Sequence, residues 1–308
     1  MTFIAVIIRA DEICFLADSM FSDPLPIVYS MDNQKIFFSR KHRIGMCICD
    51  HMLIVHKEKE ETDFFVNHVL RDFFDRIETE EEIVSHAQFQ DRLLQFIDEN
   101  YPKYYNYLRS QSPGEPHRQD CNYLIGSLDQ NRNFHATCHF EGEEKYVQNI
   151  PTSFTNHDST FHKRLTELAN KRQCASLETL FADHFEEILS HAVPLTCADV
   201  NKEEGYAVGK DLHIIRVARD GTITETFHEY SVAASEDGQR QQVAWQLRPE
   251  PIEYVQIATL GDEIDLPVRY HPVPPEFRNS KLSRRLAKKA ASSSGTENKD
   301  NKDSNDGH

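Results

Sequence analysis

The opening of this chain constrains its fold more than any other stretch. Residues 3–8 form a continuous apolar run rich in β-branched side chains, Ala10-Asp11-Glu12 is turn chemistry, and residues 13–17 repeat the apolar run. Two such runs across a tight turn form an antiparallel hairpin. Because both are apolar on both faces, the sheet that holds them must be covered on both sides. Asp18 follows, then a loop marked by Pro24 and Pro26, and Lys35 opens a third apolar run at Ile36. The hairpin returns Asp18 to the end where Thr2 lies, and a third strand starting at Lys35 can bring its ammonium there too.

These three residue types form a chemical set. Removal of Met1, expected before a side chain as small as threonine, leaves Thr2 with a hydroxyl and a free α-amine. A threonine paired with its own N-terminal amine is an activated nucleophile. The amine, with a reference pKa of about 7.7–8.0, can take the hydroxyl proton near neutrality. A neighbouring Lys35 lowers that pKa by like-charge repulsion and stabilises negative charge on Oγ, while Asp18 orients the lysine. Taken singly, each has a plainer reading: Thr2 opens an edge strand, Asp18 ends a strand, Lys35 is a solvated charge. The three together and in this order favour catalysis.

Thr2, Asp18-Ser19 after Phe15-Leu16-Ala17, Lys35-Ile36 and Arg43-Ile44-Gly45 resemble the opening of proteasome β-type subunits and their bacterial relatives, members of the N-terminal-nucleophile hydrolases. The lysine comes one residue later than in that family. Asn122 to Asp129, a turn at 130–133 and Phe134 to Phe140 resemble the family's central hairpin, and residues 212–218 and 223–227 its closing strands. The resemblance covers about residues 2–230. It implies an α+β fold, a four-layer α-β-β-α sandwich, and threonine-dependent peptidase activity on peptides or unfolded protein without a cofactor. It also implies a homo-oligomeric ring and leaves room for an ATPase partner. Three more site residues come from it: Cys49, where the family has a glycine whose N–H serves the oxyanion hole; Ser159, from a turn whose serine contacts the threonine region; and Asp199, in the segment that carries a further acid. A non-catalytic scaffold or binding subunit of the same fold is the alternative.

At 308 residues, 39% apolar, the chain can bury a large single core. A formal charge of −16 and a pI near 5.4 argue against a nucleic-acid binder. Seven irregularly spaced cysteines make no disulfide framework, and no apolar stretch approaches the roughly 20 residues of a membrane span. With no leader pattern at the start, the expectation is a reduced, cytoplasmic protein. Cys47, Cys49 and His51 spell C-x-C-x-H, but a zinc site needs a fourth ligand group, and buried apolar cysteines are the commoner reading. His157-Asp158-Ser159 cannot form a triad, because triad members converge from separate segments.

Helical spacing predicts a helix over 52–77 and, after a capping box at Thr79 and Glu82, a second to about 108. Tyr101, Tyr104, Tyr105 and Tyr107 are expected to pack against them. Helices are also expected over 159–169, with Asp158 as cap, and 177–189, capped by Ser176, with a loop over 191–209. The domain reading is 1–230 as the hydrolase domain, 231–277 as a β-rich appendage and 278–308 as a disordered tail poor in apolar residues.

Overall fold

The hairpin expected at the start is present as β1 (Ile4–Ile8) and β2 (Glu12–Asp18), closed by the Arg9 amide on the Glu12 carbonyl at 2.8 Å. Ile4 faces Ala17 and Ile8 faces Ile13, and pairing continues to Phe3, whose carbonyl accepts from the Asp18 amide at 3.0 Å. Every residue of both strands is buried. Strand alternation divides them between two cores. Phe3, Ala5, Ile7, Cys14 and Leu16 pack under helices, whereas Ile4, Val6, Ile8, Ile13, Phe15 and Ala17 pack against a second sheet. Burying each such Ile or Phe contributes about 1.5–3 kcal/mol.

The computed structural model describes residues 2–24, 27–30, 34–49, 53–56, 61–101, 122–140, 143–204, 208–234, 241–252 and 254. Within them the fold is mixed α+β with two antiparallel sheets. The first holds, in spatial order, β12 (Thr152–Thr155), β1, β2, β13 (Asp211–Ala218), β14 (Ile223–Ala234) and β15 (Gln241–Leu247). The second holds β11 (Glu143–Gln148), β10 (Phe134–Phe140), β9 (Asn122–Leu128), β6 (Ile44–Cys49) and β5 (Ile36–Ser39). Two ribbons, β3 (Phe21–Pro24) with β4 (Ile27–Ser30) and β7 (Leu53–His56) with β8 (Glu61–Phe65), stand apart. Gly45 and Gly126 face each other in the second sheet, and both lie against Phe15. A Cβ on Gly126 would sit 2.7 Å from that ring, so the absent side chains let the sheets close around it.

Helices α1 (Val66–Thr79) and α2 (His86–Asn100) cover the outer face of the second sheet. Val69, Phe73, Phe74, Ile77 and Phe89 meet Phe37, Ile44, Met46 and Ile125 there. On the outer face of the first sheet lie α3 (Asp158–Arg172), α4 (Leu177–Asp183) and α5 (Val193–Glu204), which bury Phe161, Leu165, Leu180, Phe181 and Cys197. Among the described residues no helix is long and apolar enough to cross a membrane.

Three local expectations are corrected. The first helix begins at Val66, because Leu53-Ile54-Val55 enters the β7–β8 ribbon. The second is capped by Ser85, whose amide donates to the Gln88 side chain at 3.2 Å, while Thr79 closes α1 by donating to the Arg76 carbonyl at 2.7 Å. The segment expected as a loop over 191–209 is largely helical. Pro194 has no N–H to give to the preceding turn, and the ladder widens into a π-helical stretch, Ile188–Ala192, before α5 resumes. Met1, His51, Tyr104, Tyr105, Tyr107 and every residue from 255 onward, the tail included, lie outside the described residues.

Candidate active site

Where β1 begins and β2 ends, the antiparallel register places Thr2 beside Asp18, and Lys35 enters from the residue before β5. The Lys35 amine donates to Asp18 Oδ1 at 2.7 Å and is hydrogen-bonded to Thr2 Oγ1; the Thr2 hydroxyl donates to Asp18 Oδ1 at 2.5 Å. The site is nearly dry: the Lys35 and Asp18 side chains are 1% and 0% exposed, and Thr2 as a residue 3%.

A carboxylate so placed needs donors in place of water, since an unpaired buried charge costs several kcal/mol. Asp18 receives five. Oδ1 accepts from Thr2, Lys35 and the Phe3 amide at 2.8 Å; Oδ2 accepts from the Met20 amide at 3.0 Å and the Gly209 amide at 2.9 Å. Gly209 reaches so close because it lacks a Cβ, which would stand 2.8 Å from Met20 Cβ and 3.3 Å from Asp18 Oδ2. Its turn is held in place by Asn201, which exchanges hydrogen bonds of 2.7 and 2.9 Å with Val208, and by the Tyr230 hydroxyl on the Gly209 carbonyl at 2.8 Å. Beneath it Cys197 is fully buried; burial, and after it the Asp18 charge, pushes its thiol well above the ordinary range.

On the other side, Asn156 Nδ2 and His157 Nε2 both contact the Thr2 carbonyl oxygen, at 2.6 and 2.7 Å. Both residues lie at the junction between β12 and α3.

The structure therefore gathers Thr2, Asp18 and Lys35 into one cluster. Cys49 is the last residue of β6, one along from Ile48, whose amide donates to the Lys35 carbonyl at 3.0 Å; its thiol faces the Asn122 carbonyl at 3.7 Å. Ser159 is exposed on the first turn of α3, and the contact with Thr2 comes from the two residues before Asp158 instead. Asp199 is held by Arg164 in a bidentate pair, 2.7 Å to each oxygen. Sequence reasoning missed Gly209, Asn201, Tyr230 and Asn156. Only Gly209 carried a signal, as a glycine closing the segment expected to line the site. Among the described residues no group of three His, Cys, Asp or Glu side chains is arranged to hold a metal.

No family model matches the sequence, and no curated protein matches it. Among solved structures, the chain is similar to an Anbu (Gly-1) mutant from Hyphomicrobium sp. strain MC1, at 9% identity and a TM-score of 0.46, over 96% of this chain and 97% of that one. It is also similar to Anbu (ancestral beta-subunit) from Yersinia bercovieri, at 10% identity and a TM-score of 0.46, over 72% and 86%. These findings overturn the assignment to the proteasome β-type family drawn from the opening residues. That assignment rested on Thr2, Asp18 and a lysine one position late, with the central hairpin and closing strands, and no family model or curated sequence match accompanies them.

Proposed function

We propose that this chain is a threonine-dependent amide hydrolase, with Thr2 as nucleophile once its α-amine is freed. The observation that carries the reading is Lys35, whose ammonium bridges Thr2 Oγ1 and Asp18 Oδ1 with almost no exposed side-chain surface. A buried ammonium beside a hydroxyl stabilises the alkoxide more than the alcohol, because the low dielectric strengthens the attraction to the charged form. Three separate cores, helix on sheet, sheet on sheet and sheet on helix, support a four-layer α-β-β-α arrangement as its scaffold.

In the proposed reaction the freed α-amine takes the Thr2 Oγ proton as Oγ bonds to the carbonyl carbon of an amide. The negative charge passes to the carbonyl oxygen, for which the sequence resemblance implies the Cys49 backbone N–H as donor. The tetrahedral adduct collapses, the C–N bond breaks, and the departing amine takes the proton from the α-ammonium. Water then attacks the Thr2 ester by the same relay, releasing the acid and restoring the hydroxyl. The substrate class is peptide or unfolded protein.

The test is mass spectrometry of the N-terminus together with a fluorogenic-peptide assay. The expected result is a chain beginning at Thr2 whose hydrolysis is lost in Thr2→Ala and partly kept in Thr2→Ser. Equal hydrolysis by Thr2→Ala, or by protein retaining a residue before Thr2, would overturn the reading. A non-catalytic scaffold is the second reading, favoured by the 3% exposure of Thr2; it predicts no hydrolysis from protein whose Thr2 amine is free.

A further inference from the structure

Thr2 and Phe3 lie ahead of β1, yet the Thr2–Phe3 peptide unit is held on both edges. Its N–H donates to Asp18 Oδ1 at 2.8 Å. Its carbonyl oxygen receives Asn156 Nδ2 at 2.6 Å and His157 Nε2 at 2.7 Å. Asn156 also accepts the Ile4 amide on Oδ1 at 3.0 Å, which fixes the orientation of the side-chain amide. The register explains this device. β12 pairs with β1 as far as Thr155 opposite Ala5 and then turns into α3. Beyond that point the backbone partner is gone, and the Asn156 amide stands in for it, taking the Ile4 N–H and giving a hydrogen to the Thr2 carbonyl as a paired strand residue would. His157 adds a second donor to the same oxygen; a carbonyl only accepts, so Nε2 carries a proton.

We infer that Asn156 and His157 are positioning residues for the Thr2 nucleophile. The inference rests on the reading of Thr2 as nucleophile. With the Thr2 hydroxyl held by Asp18 and Lys35 and the following peptide plane held on both edges, rotation about the Cα–C bond of Thr2 is blocked. The freed amine and Oγ then keep one orientation toward the bound carbonyl through the proton transfer. Without the clamp the residue turns as a unit, and the amine and hydroxyl no longer present themselves to the same carbonyl carbon. Misplacement on the order of 1 Å can cost about 10²-fold in rate.

Two measurements test this, one independent of activity. With threonine labelled at the carbonyl carbon by ¹³C and the Thr2 signal assigned by its loss in Thr2→Ser, the Thr2 resonance is expected to move upfield in Asn156→Ala and in His157→Ala, as hydrogen bonds to that oxygen are lost. In His157→Gln, whose amide can still donate, it should stay close to wild type. In the peptide assay, kcat should fall by about 10- to 100-fold in the alanine variants with KM within about twofold, and His157→Gln should recover most of the loss. An unmoved carbonyl resonance in both alanine variants overturns the clamp whatever the activity. So does an unchanged kcat when wild type shows Thr2-dependent hydrolysis. Absence of such hydrolysis in wild type sinks the nucleophile reading instead, and the resonance then decides the clamp alone.

Discussion

Lys35 and Asp18, seventeen residues apart on either side of the ribbon β3–β4, meet Nζ to Oδ1 at 2.7 Å with almost no exposed side-chain surface. An ion pair this dry exists only where hydrogen bonds replace water on both partners, and here one hydroxyl and three backbone amides complete the carboxylate.

Breaking that pair from one side should be severe. Lys35→Met leaves Asp18 buried without a cation and is expected to lower stability by about 3–5 kcal/mol, whereas the double variant Lys35→Met/Asp18→Asn should recover part of the loss. Urea unfolding of the single and double variants measures the coupling, and additive losses would contradict it.

Gly209→Ala should damage the same cluster without removing a charge. The new Cβ would meet Met20 Cβ at 2.8 Å and the Met20 amide nitrogen at 3.2 Å, so the turn must shift and draw its own amide off Asp18. A loss of about 1–3 kcal/mol is expected, read as a lowered melting temperature together with reduced hydrolysis.

Asp199 makes a contrasting case. Its carboxylate is tied to Arg164, with side chains 16% and 13% exposed. Asp199→Asn is expected to cost about 1.5–3 kcal/mol in urea unfolding and to leave kcat/KM within about twofold. A large fall in kcat at unchanged stability would place Asp199 in the chemistry.

Acid should weaken the joint between α2 and the second sheet. His86 bonds Ser127 and Thr137 through its two ring nitrogens and stacks on His135, which itself meets Asp129 and Tyr146. Burial, reinforced by His135, pulls the His86 imidazole down to about 4. The folded value lies below the about 6.5 of free histidine, so the unfolded chain binds the proton first. The contribution of His86 is therefore complete above about pH 6.5 and lost as pH falls toward 4, with an upper figure of about 3 kcal/mol. Chemical denaturation between pH 7 and pH 4 should show this slope, and His86→Gln should flatten it.

The N-terminal hairpin was legible because its signals are local. Two apolar runs joined by Ala10-Asp11-Glu12 admit one pairing, and that pairing alone carries Asp18 back to Thr2. The helix boundaries were less legible. Leu53-Ile54-Val55 fits a helix face and a strand equally well by periodicity, and the stretch from His191, expected as a loop, continues as helix after one widened turn.

The sequence by itself determined the hairpin, the double coverage of its sheet, and the types and spacing of Thr2, Asp18 and Lys35, since these follow from side-chain alternation and short-range turns. Tertiary structure alone decided what surrounds them. Gly209 lies 191 residues from Asp18 and Asn156 lies 154 from Thr2, and neither has a pattern of its own that announces a partner. Each is placed by a different sheet neighbour of the hairpin, Gly209 just ahead of β13 beside β2 and Asn156 at the end of β12 beside β1. The physical reason is that a buried carboxylate and a strand end must find donors wherever the packed chain brings them. That choice is made by the order of strands in the sheet, which no local spacing encodes.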